Sequence, residues 1–171
     1  MPLEPLLRLV SVPAYMLATF AMACGGPPPR TANPARPLEE RRALDVIAEV
    51  FREENETPVA GGDVSLSVQG RLHVDVQAGG KRFGVAYVTG KERSELGRAL
   101  PARDPNMGDA LQLVSGLGTD GDARVCVLYD TDYLYDDQVG EAHEKSTTTA
   151  ELKLRRDVRD FLVIAHREHL R

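Results

Sequence analysis

DVSLSVQGRLHVDVQAGGKRFGVAYVT, Asp63 to Thr89, is the stretch whose reading decides the fold. Val64, Leu66 and Val68 alternate with Ser65, Ser67 and Gln69. Leu72, Val74 and Val76 alternate with His73, Asp75 and Gln77, and Phe83, Val85 and Tyr87 with Gly84 and Ala86. A period of two puts successive side chains on opposite faces, so each run predicts a strand. A two-residue Gly79-Gly80 turn would pair Val76 with Phe83, Val74 with Val85 and Leu72 with Tyr87, all on one face. At the first turn a three-residue loop, Gln69-Gly70-Arg71, would set Val68 against Leu72 and Leu66 against Val74. A shorter loop would mix the faces, because a one-residue slip inverts a whole strand. The expectation is an antiparallel three-stranded meander with one apolar and one polar face, and a positive φ at Gly70 or a neighbour.

Such a face needs a cover, and the flanking sequence supplies helices. Upstream, Leu38 to Glu54 carries Leu44, Ile47, Ala48 and Phe51 at helical spacing,. Pro37 suits the first turn and Glu39 and Glu40 suit the positive end. Downstream, KERSELGRAL predicts a short helix with Leu96 and Leu100 inward, stopped by Pro101,. Met107, Ala110, Leu111 and Val114 predict a second short helix. Ala123 to Tyr129 is continuously apolar around Val125 to Leu128, as in a buried strand. A further strand is expected at Asp132 to Asp136 and a loop at Val139 to Thr149. A final helix is expected from near Thr148 to about His169, with Leu154, Val158, Phe161, Leu162 and Ala165 inward and Arg155, Arg156, Arg159 and Asp160 outward. The class is α+β: the meander, one or two more strands, an N-terminal helix, short middle helices and a long C-terminal helix.

The N-terminus reads as an address. Arg8 precedes an apolar run, Leu9 to Phe20, that is broken by Ser11 and Pro13. Ala21-Met22-Ala23 then has the small-x-small form of a signal cleavage site, followed by Cys24 and the proline-rich GGPPPR,. This segment resembles the lipobox of bacterial lipoproteins, with Ala21 standing where that class usually has leucine. The resemblance implies cleavage before Cys24, a diacylglyceryl group on its thiol and a fatty acyl group such as palmitate on its new amine. A plain secretory signal cut at the same bond is the alternative. Several acyl chains would hold the protein at a membrane without a basic patch. The expected organisation is a signal peptide over 1–23, a lipidated cysteine and extended proline-rich tether over 24–37, and one α+β domain over 38–171. Gly25 after the cysteine, in place of the aspartate that retains some lipoproteins in the inner membrane, favours the outer membrane, periplasmic face.

Composition narrows the function. With 21 basic against 26 acidic residues the net charge is −5, and there is no tryptophan. A nucleic-acid partner would call for a basic face and stacking aromatics, so none is expected. Neither a nucleophile elbow nor a phosphate-binding loop is present. The order helix, three strands, helix is shared with the restriction-nuclease core. Asp75 suits its first acid, but KRFGVAYV lacks the Glu-x-Lys that the third strand needs. Cys126 in RVCVLYD reads as a small core thiol. His166 and His169 lack the rest of a zinc motif and read as solvent-facing residues at a helix end. The densest polar run is YDTDYLYDDQVGE. Asp130, Asp132, Asp136, Gln138 and Glu141 fall at calcium-loop positions, but Leu134 and Tyr135 occupy the fifth-ligand and glycine slots, and a strand precedes them. A less regular divalent-cation site from Asp130, Asp132, Asp136 and Asp137 is the metal candidate; otherwise this is a solvated acidic strand end. No catalytic residue or cofactor is assigned. The function expected is an envelope lipoprotein, bound to the membrane through its lipid, whose domain meets a protein partner or serves a structural role. The alternative is a cation- or small-ligand-binding, even enzymatic, domain at Asp130 to Asp137.

Overall fold

A bulge in the middle strand organises the molecule. The computed structural model describes residues 34–68, 70–100, 110–136 and 146–168. The expected signal segment and Cys24 lie outside them. In chain order the elements are β1 (Arg36–Pro37), α1 (Glu40–Glu53), β2 (Pro58–Ala60), β3 (Asp63–Ser65), β4 (Arg71–His73), β5 (Val76–Ala78), β6 (Phe83–Val88), α2 (Gly90–Leu96), β7 (Gln112–Ser115), β8 (Arg124–Tyr129), β9 (Leu134–Tyr135) and α3 (Thr147–Arg167). This is an α+β fold with a long C-terminal helix, as expected. The main sheet has the order β2-β5-β6-β8-β7, parallel between β6 and β8 and antiparallel elsewhere. β3–β4 and β1–β9 are separate two-stranded ribbons.

The meander is present as two antiparallel hairpins, β3–β4 and β5–β6, that share a broken middle strand. Val76 is paired with Val85, and the Asp75 amide also donates to the Val85 carbonyl at 2.9 Å. Two residues thus oppose one, which defines a β-bulge. Its consequence is a change of side. Val76 and Ala78 join the core under the helices, whereas Leu72 and Val74 join a second core on the opposite face. Gly84 permits the close approach. A Cβ there would lie 2.6 Å from Val74 Cγ1 and 2.6 Å from the Val76 carbonyl oxygen.

Both turns differ from expectation by an even number of residues: Val76 and Phe83 keep a common face, but the bulge parts Val74 from Val85 and Leu72 from Tyr87, which stand in different cores. Val76 meets Val85 rather than Phe83, and Lys81 N donates to Ala78 O at 3.0 Å across a turn with Gly80 at φ 72°. β3 and β4 pair as Asp63–His73, Val64–Leu72 and Ser65–Arg71, which leaves Val68 in the loop and 97% exposed. The expected positive φ at Gly70 or a neighbour falls on a turn whose Gln69 lies outside the described residues.

The first core lies between the sheet and the helices. Ala43, Val46, Ile47, Val50 and Phe51 of α1 meet Leu154, Val158, Phe161, Leu162 and Ala165 of α3, above Phe83, Val85, Tyr87, Cys126 and Leu128. Phe83 and Phe161 meet edge to face, centroids 6.0 Å apart,. Arg42 binds Glu151 through two hydrogen bonds, and Arg155 and Arg159 reach Glu49 and Glu53 of α1 and Glu54 at its C-terminal cap. The second core corrects the expectation of a polar face: Leu72, Val74, Ala86, Val88, Leu100, Val114, Val125, Val127 and Tyr129 fill it. The small side chains of Gly84 and Ala86 do not mark a solvated face, since the hairpin and α2 cover it.

Two further expectations are corrected. Gln112–Ser115 is strand β7 rather than helix: Leu111 and Val114 have helical spacing, but pairing with β8 satisfies this backbone and buries Val114. Residues 101–109 of that expected stretch lie outside those described. Pro37 lies not in a helical turn but in β1, within the expected tether, because it pairs with Leu134 of β9. His166 is exposed in the last turn of α3, as expected, and its Nε2 also lies 2.7 Å from Glu56 Oε1; His169 lies outside the described residues.

Glu56 is buried at the end of α1, where Lys81 and His166 bind its carboxylate. Burial alone would raise its pKa, but these hydrogen bonds and charges outweigh burial and lower it,. A depressed carboxyl pKa adds stability above the unfolded value, and that contribution is lost as pH falls through the folded value. Glu56→Gln should cost about 1–3 kcal/mol at neutral pH. In urea melts the gap to wild type should shrink steadily below pH 4.5, near the ordinary glutamate value. Gly84→Ala should cost about 1–3 kcal/mol by overpacking the bulge, read as a lower denaturant midpoint.

Candidate functional site

The β3–β4 ribbon, the bulge and α2 enclose an open groove of about 670 Å³, within the range of about 300–1,000 Å³ usual for ligand sites. Its floor is Leu72, Val88 and Leu96, and its polar groups come from several elements. β4 contributes Arg71 and His73 two residues apart, hence on one face of the ribbon. β3 contributes Asp63, the cross-strand partner of His73. The bulge contributes Asp75. Glu92 and Glu95 come from one side of α2, and Arg98 from the 3₁₀ turn that follows it.

His73 Nδ1 lies 2.9 Å from Asp63 Oδ1. An ionised carboxylate only accepts, so Nδ1 carries the hydrogen and Nε2 of the neutral ring keeps the lone pair. The hydrogen bond to Asp63 is the main reason the imidazole pKa is raised. Desolvation opposes it, and the negative charges of Asp75, Asp63 and Glu92 reinforce it. For Asp75, burial is the main cause and raises the carboxyl pKa, against the Tyr87 amide that donates to Oδ2 at 2.7 Å. Glu92 is partly committed: its Oε2 accepts from the Thr89 amide at 2.9 Å and hydroxyl at 2.8 Å in the capping box that starts α2,. Arg71 and Arg98 differ, since neither guanidinium has a partner among the described residues.

The residues singled out by sequence are distributed otherwise. Asp130 and Asp132 stand in a 3₁₀ turn after β8, and Asp136 follows β9. Asp130 Oδ2 accepts from the Gly90 amide at 2.9 Å, which joins the end of β8 to the start of α2. Among the described residues no group of three potential ligands has metal-binding geometry; Asp137, Gln138 and Glu141 lie outside them. Cys126 is fully buried in β8, and burial pushes its thiol pKa well up, so it lacks the thiolate a nucleophile needs,.

The groove went unread in the sequence for one reason. The expected register sets His73 opposite Ser67, four residues from its actual partner. Asp63, His73 and Asp75 all alternate with apolar residues, so each reads as an ordinary solvent-facing position. Only a longer hairpin loop brings Asp63 to His73. No protein family, curated protein or solved structure matches the chain.

A raised histidine pKa contributes stability that is fully present below the unfolded value, about 6.5, and lost as pH rises through the folded value. An NMR titration should place the His73 midpoint above that reference, and Asp63→Asn should bring it down while the chain stays folded.

Proposed function

We propose that this protein is a lipid-anchored envelope component whose folded body is a binding module, with the groove between the β3–β4 ribbon and α2 as its binding face. The groove is the observation that carries the binding role. It joins an apolar floor to side chains of both charges, two of them unpartnered guanidiniums among the described residues. Among the described residues it brings no activated nucleophile to the His73–Asp63 pair, and its paired charges and apolar floor support recognition. The anchor rests on Ala21-Met22-Ala23-Cys24 and the proline-rich chain after it. Acylation at Cys24 and a tether would place the groove near the membrane surface, facing partners in the periplasm, with the outer membrane as the proposed site.

The anchor and the face are tested separately. In a bacterial host, Cys24→Ser should abolish fatty-acid labelling and move the protein from the membrane to the soluble fraction. Continued membrane retention would assign anchoring to the apolar leader instead. A photo-crosslinking residue at Glu95 should yield a discrete adduct that the same residue at Leu152, on exposed α3 surface, does not. Equal labelling at both positions would refute the groove as the binding face.

A further inference from the structure

Apart from Glu95, which stands one turn before Arg98, the charges in the groove are sorted by end. Asp75, Glu92 and the His73–Asp63 pair are close enough to influence one another electrostatically, and together they form an acidic end. At the other end the backbone of Gly70 lies against Ala99. Arg71 and Arg98, the chain neighbours of these two residues, therefore flank the same contact. Among the described residues Arg42, Lys81, Arg82, Arg155 and Arg159 are paired with carboxylates. Arg71 and Arg98 have no such partner among the described residues, although four carboxylates line the same groove. Separation of the two signs leaves a positive end able to take an anion and a negative end able to take a cation.

We infer that the groove binds a short zwitterionic peptide, its ammonium group at Asp75 and Glu92 and its carboxylate at Arg71 and Arg98. The inference rests on the groove being the binding face and adds what it recognises. The spacing bounds the length. Arg71 and Asp75 are four residues apart across the bulge, so their backbones lie at most about 13–14 Å apart. An extended di- or tripeptide, at about 3.3 Å per residue, fits within that bound. The guanidinium forks suit a planar carboxylate held bidentately. The apolar floor of Leu72, Val88 and Leu96 favours small apolar side chains along the peptide.

Trialanine with free termini is the probe, added at millimolar concentration to the full chain and read by thermal melting and isothermal titration. A ligand of the folded state alone raises the melting temperature with concentration. Free trialanine should do so; N-acetyl-trialanine, trialanine amide and alanine should bind at least about tenfold more weakly, the loss of one charge-assisted contact. Arg71→Ala/Arg98→Ala, at exposed positions, should respond equally to the free acid and the amide. Asp75→Asn, with its fold checked by circular dichroism, should respond equally to the free and acetylated amine. Absence of a shift with trialanine, equal shifts with capped and free peptide, or equal binding of acetate or ammonium alone would overturn the inference. If Glu95 still crosslinks a partner in that case, the groove remains the binding face and only the peptide assignment falls.

Discussion

Two residues of the middle strand, Asp75 and Val76, share Val85 of β6, and most of the architecture follows from that crowding. A bulge turns the strand over, so apolar positions an even number apart face opposite ways. Val76 and Ala78 feed the helical core while Leu72 and Val74 feed the second one. β6, between them, is buried on both faces along all six residues. The bulge also draws Asp75 inward, where the Tyr87 amide holds its carboxylate, and it swings the β3–β4 ribbon across the sheet to wall the groove. Without it a regular hairpin would continue, and Leu72 and Val74 would stay on the same face as Val76.

Charge is handled differently in the seams and in the groove. Glu56 and Asp157 are the buried carboxylates of the described residues, and each is hydrogen-bonded: Glu56 by Lys81 and His166, Asp157 by Tyr133, Lys153 and Arg156. Each joins elements distant in sequence, which fits the rule that a buried charge must be paired and hydrogen-bonded. Across the exposed α1–α3 seam, arginine–glutamate pairs add orientation more than stability, since each such pair is worth about 1 kcal/mol or less. In the groove the pairing is incomplete, with carboxylates at one end and guanidiniums at the other. Incomplete pairing beside an apolar floor is what separates a surface built to receive something from one built to hold itself together.

How much of this was legible depends on the range of the physics involved. The stripes on α1 and α3 were readable residue by residue, because a helix buries every third or fourth position regardless of what it packs against. Leu154, Val158, Phe161, Leu162 and Ala165 all stand in the core. The continuous apolar run of β8 announced a strand buried on both faces. β7 was misread because Leu111 and Val114 satisfy a helical period while the hydrogen bonds that decide the matter come from β8. The acidic run after β8 drew the eye as a cation site, yet Asp130 serves the start of α2, forty residues upstream.

Sequence alone determined the α+β class, the buried strand β8 and the faces that the two long helices present, since each depends on period and composition within a few residues. Tertiary structure decided the register of both hairpins, the parallel pairing of β6 with β8, the filling of a second core and the meeting of His73 with Asp63. Those outcomes turn on where one strand bulges. That place is set by how closely Val74 and Val76 approach Gly84 across the sheet, a contact no local period encodes.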